Sequence, residues 1–258
     1  MKIVIIGSGN LATQLSLALK DAGKNIVQVF SRTEAHARDL ADQLECDFTT
    51  TVEKVRKDAD VYIFSVKDDA LGGLIASLCS SCPTALFLHT AGSVAMDVFR
   101  GYAAHYGVLY PMQTFSKNRR VAFREIPCFV EASSDADLAV VRTLAETISS
   151  HVVDCDSEKR KKMHLAAVLA CNLTNHCYRL AERVLEQEHI DFGLFLPLIE
   201  ETARKVKTMS PKAAQTGPMV RYDKNVMAMQ MAMLPDERTR EIYRLMAESI
   251  HEDYTSKD

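Results

Sequence analysis

The sequence predicts an α/β fold, a mostly parallel sheet in the first part of the chain followed by an all-α part, on three observations. Up to Asp154, short apolar runs rich in Val, Ile and Phe alternate with runs whose apolar residues recur at helical spacing. The first strand-like run and the first helix-like run are joined by a glycine turn, in "KIVIIGSGNLATQL". After Asp154 no convincing strand pattern remains. Strand–helix–strand alternation brings each strand back to the same end of the sheet, so neighbours run parallel and are buried on both faces.

The elements follow in order. "KIVIIG" is an unbroken apolar strand, and "NLATQLSLALKDAG" a helix that ends at Gly23. "NIVQVFS" and "DVYIFSV" are strands, separated by the helical "TEAHARDLADQLE". "DDALGGLIASLCSS" is a helix, and "TALFLHT", "YGVLYP" and "PCFVEAS" are strands. "DADLAVVRTLAETISS" is a helix before a last strand, "SHVVDC". "SEKRKKMHLAAVLACNLTNHCYRLAERVLEQE" then makes one long helical pattern, followed by "FGLFLPLIEETARKVKTM". Gly217-Pro218 makes "QTGPMVRYD" a loop before two more helices, "KNVMAMQMAML" and "PDERTREIYRLMAESIHEDY". The terminal "TSKD" is expected to fray. The expected domains are residues 1–155 and 156–258.

Composition narrows the partners. The chain has 258 residues, 47% hydrophobic and 25% charged, with a formal net charge of -3. That balance provides no basic field for nucleic acid or an anionic membrane. "MKIVIIG" lacks the apolar core and cleavage site of a signal peptide, and the longest apolar stretch, "MHLAAVLACNLTNHCY", is broken by Asn172, Asn175 and His176. Seven cysteines, an odd count, fit free thiols, so a cytoplasmic location is expected. Cys79 and Cys82 form a C-x-x-C that closes a helix before Pro83, with no second pair to complete a metal site, and are expected to be incidental thiols.

Gly7-Ser8-Gly9-Asn10-Leu11-Ala12 has the G-x-G-x-x-G/A form directly after a strand and opening a helix, as in a Rossmann-like dinucleotide-binding domain. Gly7 permits the tight turn, Gly9 lets the backbone approach a pyrophosphate, and Ala12 allows close packing of helix on strand. Free N–H groups at the helix start would then receive the phosphates. At the end of the second strand an acid would bond the ribose 2′-hydroxyl of NAD. This chain has Ser31, Arg32 and Thr33 there, two hydroxyls and a cation suited to the extra phosphate of NADP. Arg32 as a plain surface residue is the alternative. Glu34 and His36 fall in the next helix, and Glu34 is not expected to face the ribose. Ser65, Val66 and Lys67 should line the cofactor path, with Asp68 and Asp69 opening the following helix as capping acids. His89, at the end of "TALFLHT", sits where a side chain could reach the nicotinamide ring.

With "GSGNLA", "FSRT", "SVKDDAL" and "LHTAGS", the first 155 residues resemble the coenzyme domain of pyrroline-5-carboxylate reductase and the 6-phosphogluconate/3-hydroxyisobutyrate dehydrogenase superfamily. Prephenate dehydrogenases and deazaflavin-dependent NADP oxidoreductases belong to the same broad group. The whole chain is most similar to a family of NADP oxidoreductases with a helical C-terminal domain of unknown function. Its motifs are matched by His89-Thr90-Ala91-Gly92, by "YPMQTF", by His164 with Asn172, and by Thr216-Gly217-Pro218 with Arg221 and Asp223. Tyr110 stands where a histidine is expected before Pro111. The resemblance implies an NADP-binding enzyme but fixes no substrate.

A reductase of this class needs a proton donor, donors for the developing charge, and an anchor for a substrate carboxylate. Lys161, His164, Val168, Asn172 and Asn175 share one helical stripe. His164 is the candidate acid, Asn172 the charge-stabilising donor, and Asn175 and Arg221 candidate substrate contacts. A purely structural role for this His and the two Asn is the competing reading. Val168 lies where hydroxyacid dehydrogenases carry a lysine, which argues against that activity. "EKRKKMH" is by default a solvated basic turn, and Asp223 could orient Arg221 or cap the next helix. Three functions stay open: an NADP(H)-dependent oxidoreductase of a small, anionic carbonyl or imine compound; a non-catalytic NADP-binding sensor or scaffold; and an F420-dependent NADP reductase. The helical domain is expected to bind substrate and to form a homodimer.

Overall fold

The computed structural model describes residues 1–255, so the expected fraying of "TSKD" lies, apart from Thr255, outside the described residues. Eight strands form one sheet in the order β3-β2-β1-β4-β5-β6-β7-β8. They are β1 (Lys2–Ile6), β2 (Asn25–Phe30), β3 (Asp47–Thr49), β4 (Val61–Phe64), β5 (Leu86–His89), β6 (His105–Pro111), β7 (Cys128–Ala132) and β8 (Val152–Asp154). Every neighbouring pair is parallel except β6 with β7. A loop with one 3-10 turn (Phe123–Glu125), and no α-helix, connects those two strands, so nothing carries the chain back across the sheet. β3 went unnoticed in the sequence because three residues are too few to show a pattern; pairing with Gln28–Phe30 defines it.

Alternation along the strands explains the two faces. Ile3, Ile5 and Val29 point into one core with Leu15, Leu19 and Leu144, and Val4, Ile6, Phe64 and Phe87 into the other with Leu71 and Ile75. The helices that cover them are α1 (Asn10–Asp21), α2 (Glu34–Leu44), α3 (Asp68–Leu78) and α4 (Asp135–Ile148). Strand order reverses between β1 and β4, and a doubly wound sheet leaves a crevice at that switch point.

Helix α5 (Ser157–Ala167) stays with the sheet, and the chain forms two compact units, residues 1–171 and 172–258. This division lies beyond the 155/156 boundary expected from the pattern, and the reason is Arg160. Instead of sitting on a solvated basic turn, Arg160 is fully buried and pairs with Glu131 of β7 at 2.5 Å. It also donates to Val94 O at 2.7 Å, in the segment after β5. Asp156 caps the helix through Lys159 N–H, and Lys159 and Lys161 pair with Asp156 and Glu158.

Val168–Leu173 is π-helical, which interrupts the single stripe expected to run from Lys161 to Asn175. The second unit contains α6 (Thr174–Glu186), α7 (Leu196–Lys205), α8 (Pro211–Ala214), α9 (Lys224–Ala232) and α10 (Glu237–Thr255). Leu180, Val184, Ile242 and Ile250 of α6 and α10 line an apolar groove of about 290 Å³. Neither α6 nor α7 buries a single residue. Among the described residues, no helix is long and apolar enough to cross a membrane.

Candidate functional site

A cleft of about 920 Å³ opens where β1, β4, β5 and β6 end. Its lining comes from the first unit, beginning with the glycine turn. Gly7 has φ +125°, and a Cβ there would stand 2.1 Å from Ser65 O, so only glycine fits. Gly9 differs: a Cβ there would meet nothing within 4 Å. The protein itself does not require that glycine, and the space it leaves belongs to the cleft. Gly9 is also the N-cap of α1, with no side-chain cap and no acid in the first turn. The first N–H groups of α1 have no partner within the helix and, among the described residues, no side-chain cap at Gly9, as an anion site needs. Asn10 lines the cleft as well, and its Nδ2 donates to Phe115 O at 3.0 Å. Gln14 likewise holds Ser116 O and Lys117 O, which lays that loop along α1.

At the end of β2, Ser31, Arg32 and Thr33 line the cleft together with His36. Glu34 turns away and pairs with Arg38 at 2.6 Å, as expected. Among the described residues no carboxylate pairs with Arg32, which is exposed. Ser65, Val66, Lys67, Ser8 and Leu11 complete this half. Asp68 opens α3 and bonds Ser93, so the turns after β4 and β5 are tied to each other.

The other half is built around Tyr110 and His164, two residues far apart in sequence that both line the cleft. Tyr110 is the next-to-last residue of β6, and its hydroxyl lies 3.0 Å from His164 Nδ1. The rings meet edge to face at 5.9 Å. Burial holds the Tyr110 phenol above its ordinary pKa, with the Arg160 guanidinium opposing. His164 fits because Gly92 has no side chain: a Cβ there would come within 2.5 Å of Nδ1. The H-T-A-G motif thus makes room for a histidine from another element.

His89 does not join them. It is fully buried, stacks on Phe99, and accepts the Ala91 N–H on Nδ1 at 3.1 Å. Burial, with the nearby Arg160 charge, drives its pKa down to about 3. A neutral imidazole shut in the core cannot hand a proton to the cleft, and its sequence-expected reach to the ring is corrected accordingly. The pleat decides this, since His89 shares the buried face of β5 that Phe99 covers. Asn172, Asn175 and Arg221 belong to the second unit and are exposed. Asp223 caps α9 through Val226 N–H at 3.2 Å, the structural one of its two open roles. Cys79 and Cys82 are buried free thiols, and burial raises Cys79 to about 12. No cluster of metal-ligating side chains exists among the described residues.

Lys117 and His36 are two polar cleft residues whose place the sequence did not announce. Lys117 is brought there by the Gln14 contacts, which no local pattern encodes. The spacing of His36 three residues after Thr33, one helical turn into α2, was a usable signal.

A glycine turn at a helix start, on the switch point of a doubly wound sheet, defines a dinucleotide-binding oxidoreductase-type domain. Residues 2–87 match the family model "NADP oxidoreductase coenzyme F420-dependent", and residues 126–250 match "Domain of unknown function (DUF2520)". A crystal structure from Bacteroides fragilis, described as an NADP oxidoreductase, is 50% identical, with 97% of this chain and 98% of that chain covered and a TM-score of 0.94. The chain belongs to that NADP oxidoreductase family. A Thermotoga maritima protein of 23% identity shares the fold over 98% of this chain and all of its own, with a TM-score of 0.80. So does a reductive aminase of Aspergillus terreus in complex with NADPH and ethyl-5-oxohexanoate, 17% identical, at TM-score 0.71 over 100% and 96% of the two chains. No curated protein matches the sequence.

Proposed function

We propose that this chain is an NADP(H)-dependent oxidoreductase that transfers hydride to or from a small, anionic carbonyl or imine compound, with His164 as its proton-transfer group. The observation that carries this reading is that one cleft holds both the uncapped start of α1 and the Tyr110–His164 pair. Bound NADP(H) would supply or accept the hydride. The open space at Gly9 and the free N–H groups of α1 fit a pyrophosphate, and Ser31, Arg32 and Thr33 fit a 2′-phosphate, with His36 beside them. Ser65, Val66 and Lys67 line the path between the two ends.

His164 is half-buried, so its ring can reach a ligand and still exchange with solvent. With the Tyr110 hydroxyl taken as the donor to Nδ1, 3.0 Å away, the imidazole proton then resides on Nε2, which makes no hydrogen bond to the protein among the described residues. That nitrogen gives a proton to the oxygen or nitrogen of the substrate in reduction, and takes it back in oxidation. Lys67 and Lys117 favour an anionic substrate. The second unit is assigned substrate selection, through Asn172, Asn175 and Arg221, and self-association. Its uncovered Leu194, Leu198, Met229 and Met233, all more than half exposed, favour a homodimer. Sedimentation as a monomer would remove the dimer.

The test is a fluorescence titration with NADPH and NADH on the wild type and on Arg32→Ala, followed by NADPH turnover across small keto acids and cyclic imines. Tight NADPH binding that falls to the NADH level in the variant is expected, with turnover of at least one anionic compound. Weak, equal binding of both cofactors refutes the NADP reading. Tight binding without turnover by any compound would favour the sensor.

A further inference from the structure

Two hydrogen bonds join the glycine turn to the end of β2. Gly7 N–H donates to Phe30 O at 2.8 Å, and Ser8 Oγ donates to Ser31 Oγ at 2.7 Å. The first follows from the path of the backbone. The second depends on the residue between the two glycines, a place where a glycine turn needs no hydroxyl to form. Ser8 is only 8% exposed, and both serines line the cleft. We infer that Ser8 is a positioning residue for cofactor choice: it holds Ser31 so that the hydroxyl of Ser31 donates to a 2′-phosphate. The inference rests on the NADP(H) reading above.

The chemistry lies in the count of protons. A serine hydroxyl carries one proton and can accept on its oxygen. By accepting from Ser8, Ser31 is fixed in rotamer and keeps its own proton to give. A phosphate can only accept, so it gains from that arrangement. A ribose hydroxyl can donate or accept, so NAD(H) gains little. The rest of the corner agrees. Arg32 follows Ser31 without a carboxylate partner among the described residues, and the only nearby acid on α2's first turn, Glu34, is engaged by Arg38. A direct role for Ser8 against the pyrophosphate is the rival account, and it predicts equal effects on both cofactors because both carry that group.

The experiment measures NADPH and NADH dissociation constants by fluorescence for wild type, Ser8→Ala, Ser31→Ala and the double variant, with thermal unfolding to show that each is folded. Ser8→Ala is expected to lower the NADPH-to-NADH affinity ratio by about three- to tenfold, the size of one hydrogen bond, while NADH changes little. If Ser8 acts through Ser31, the double variant falls no further than Ser31→Ala alone. Ser8→Thr, which keeps the hydroxyl, should restore part of the ratio. Equal weakening of both cofactors, or additive losses in the double variant, would overturn the inference. A wild type that binds neither cofactor overturns the NADP(H) reading first and this one with it, and that result is visible before any variant is compared.

Discussion

Acidification should cost this fold stability through His89, in an amount that can be worked out. An imidazole in an unfolded chain takes its proton near pH 6.5, whereas the buried His89 is held down to about 3. Between those values the unfolded chain binds more protons, so stability falls as pH falls; above pH 6.5 the contribution is complete, and it is lost progressively toward pH 3. One unprotonated group costs about 1.4 kcal/mol at pH 5.5 and about 2.7 kcal/mol at pH 4.5. His89→Asn keeps an acceptor for the Ala91 N–H but has nothing to titrate. Urea unfolding, followed by far-UV circular dichroism because the chain has no tryptophan, would be run on both proteins from pH 7.5 to 4.5. The other histidines titrate in both and cancel in the difference. The wild type should lose about 2.7 kcal/mol more than the variant over that range. A difference that does not change with pH would mean that His89 reaches solvent when folded, and would restore it as a candidate proton donor.

Three further outcomes follow from the same geometry. Gly7→Ala must place a Cβ 2.1 Å from Ser65 O at a φ of +125° and should destabilise by about 3 kcal/mol or more in urea unfolding, whereas Gly9→Ala meets nothing, should change stability by less than about 0.5 kcal/mol, and should still weaken NADPH at least about tenfold in the titration. Gly92→Ala displaces His164 and should cost about 1–3 kcal/mol, with the loss of the Tyr110 bond visible as a changed His164 imidazole signal by NMR. Arg160→Met removes a fully buried guanidinium and leaves the half-buried Glu131 with only its Ser157 hydrogen bonds, and should cost about 3 kcal/mol, whereas Lys159→Met, in an exposed pair, should be close to neutral by the same unfolding assay.

How much of this was legible depended on how local the cause is. The glycine turn, the strand alternation and the Ser31-Arg32-Thr33 corner are written in consecutive residues, and their backbone consequences follow directly. Tyr110 was visible only as a missing histidine. Its meaning came from His164, which sits on α5 and reaches the cleft because Gly92 leaves room and Arg160 pins the helix to β7. No periodicity carries that information. The same limit explains Arg160 itself: in "EKRKKMH" four cations look alike, and only the Glu131 side chain across the sheet makes one of them a buried clamp. His89 misled for the opposite reason, since its place at a strand end was right while the pleat turned its ring inward.

Charge in the cleft is divided by depth, and this division separates binding from proton transfer. Behind the wall, Arg160 pairs with Glu131, and burial together with the Arg160 charge keeps His89 neutral near pH 7. The exposed lining holds Arg32, Lys67 and, half-buried, Lys117, against Asp68, which bonds Ser93, and Asp69. The cations therefore stand where phosphates or a substrate carboxylate would lie, while the fixed charge that acts on Tyr110 is that of the buried Arg160, which salt does not reach. It follows that added salt should weaken cofactor binding without moving the pH profile of turnover, because screening acts on the exposed cations and hardly on a half-buried hydrogen bond. Tyr110→Phe should do the reverse. It removes the bond that fixes the His164 tautomer, so the pH profile shifts while the NADPH dissociation constant holds. If Tyr110→Phe lowered NADPH affinity and left the pH profile alone, the pair would belong to the binding half of the cleft, and the proton would have to come from elsewhere.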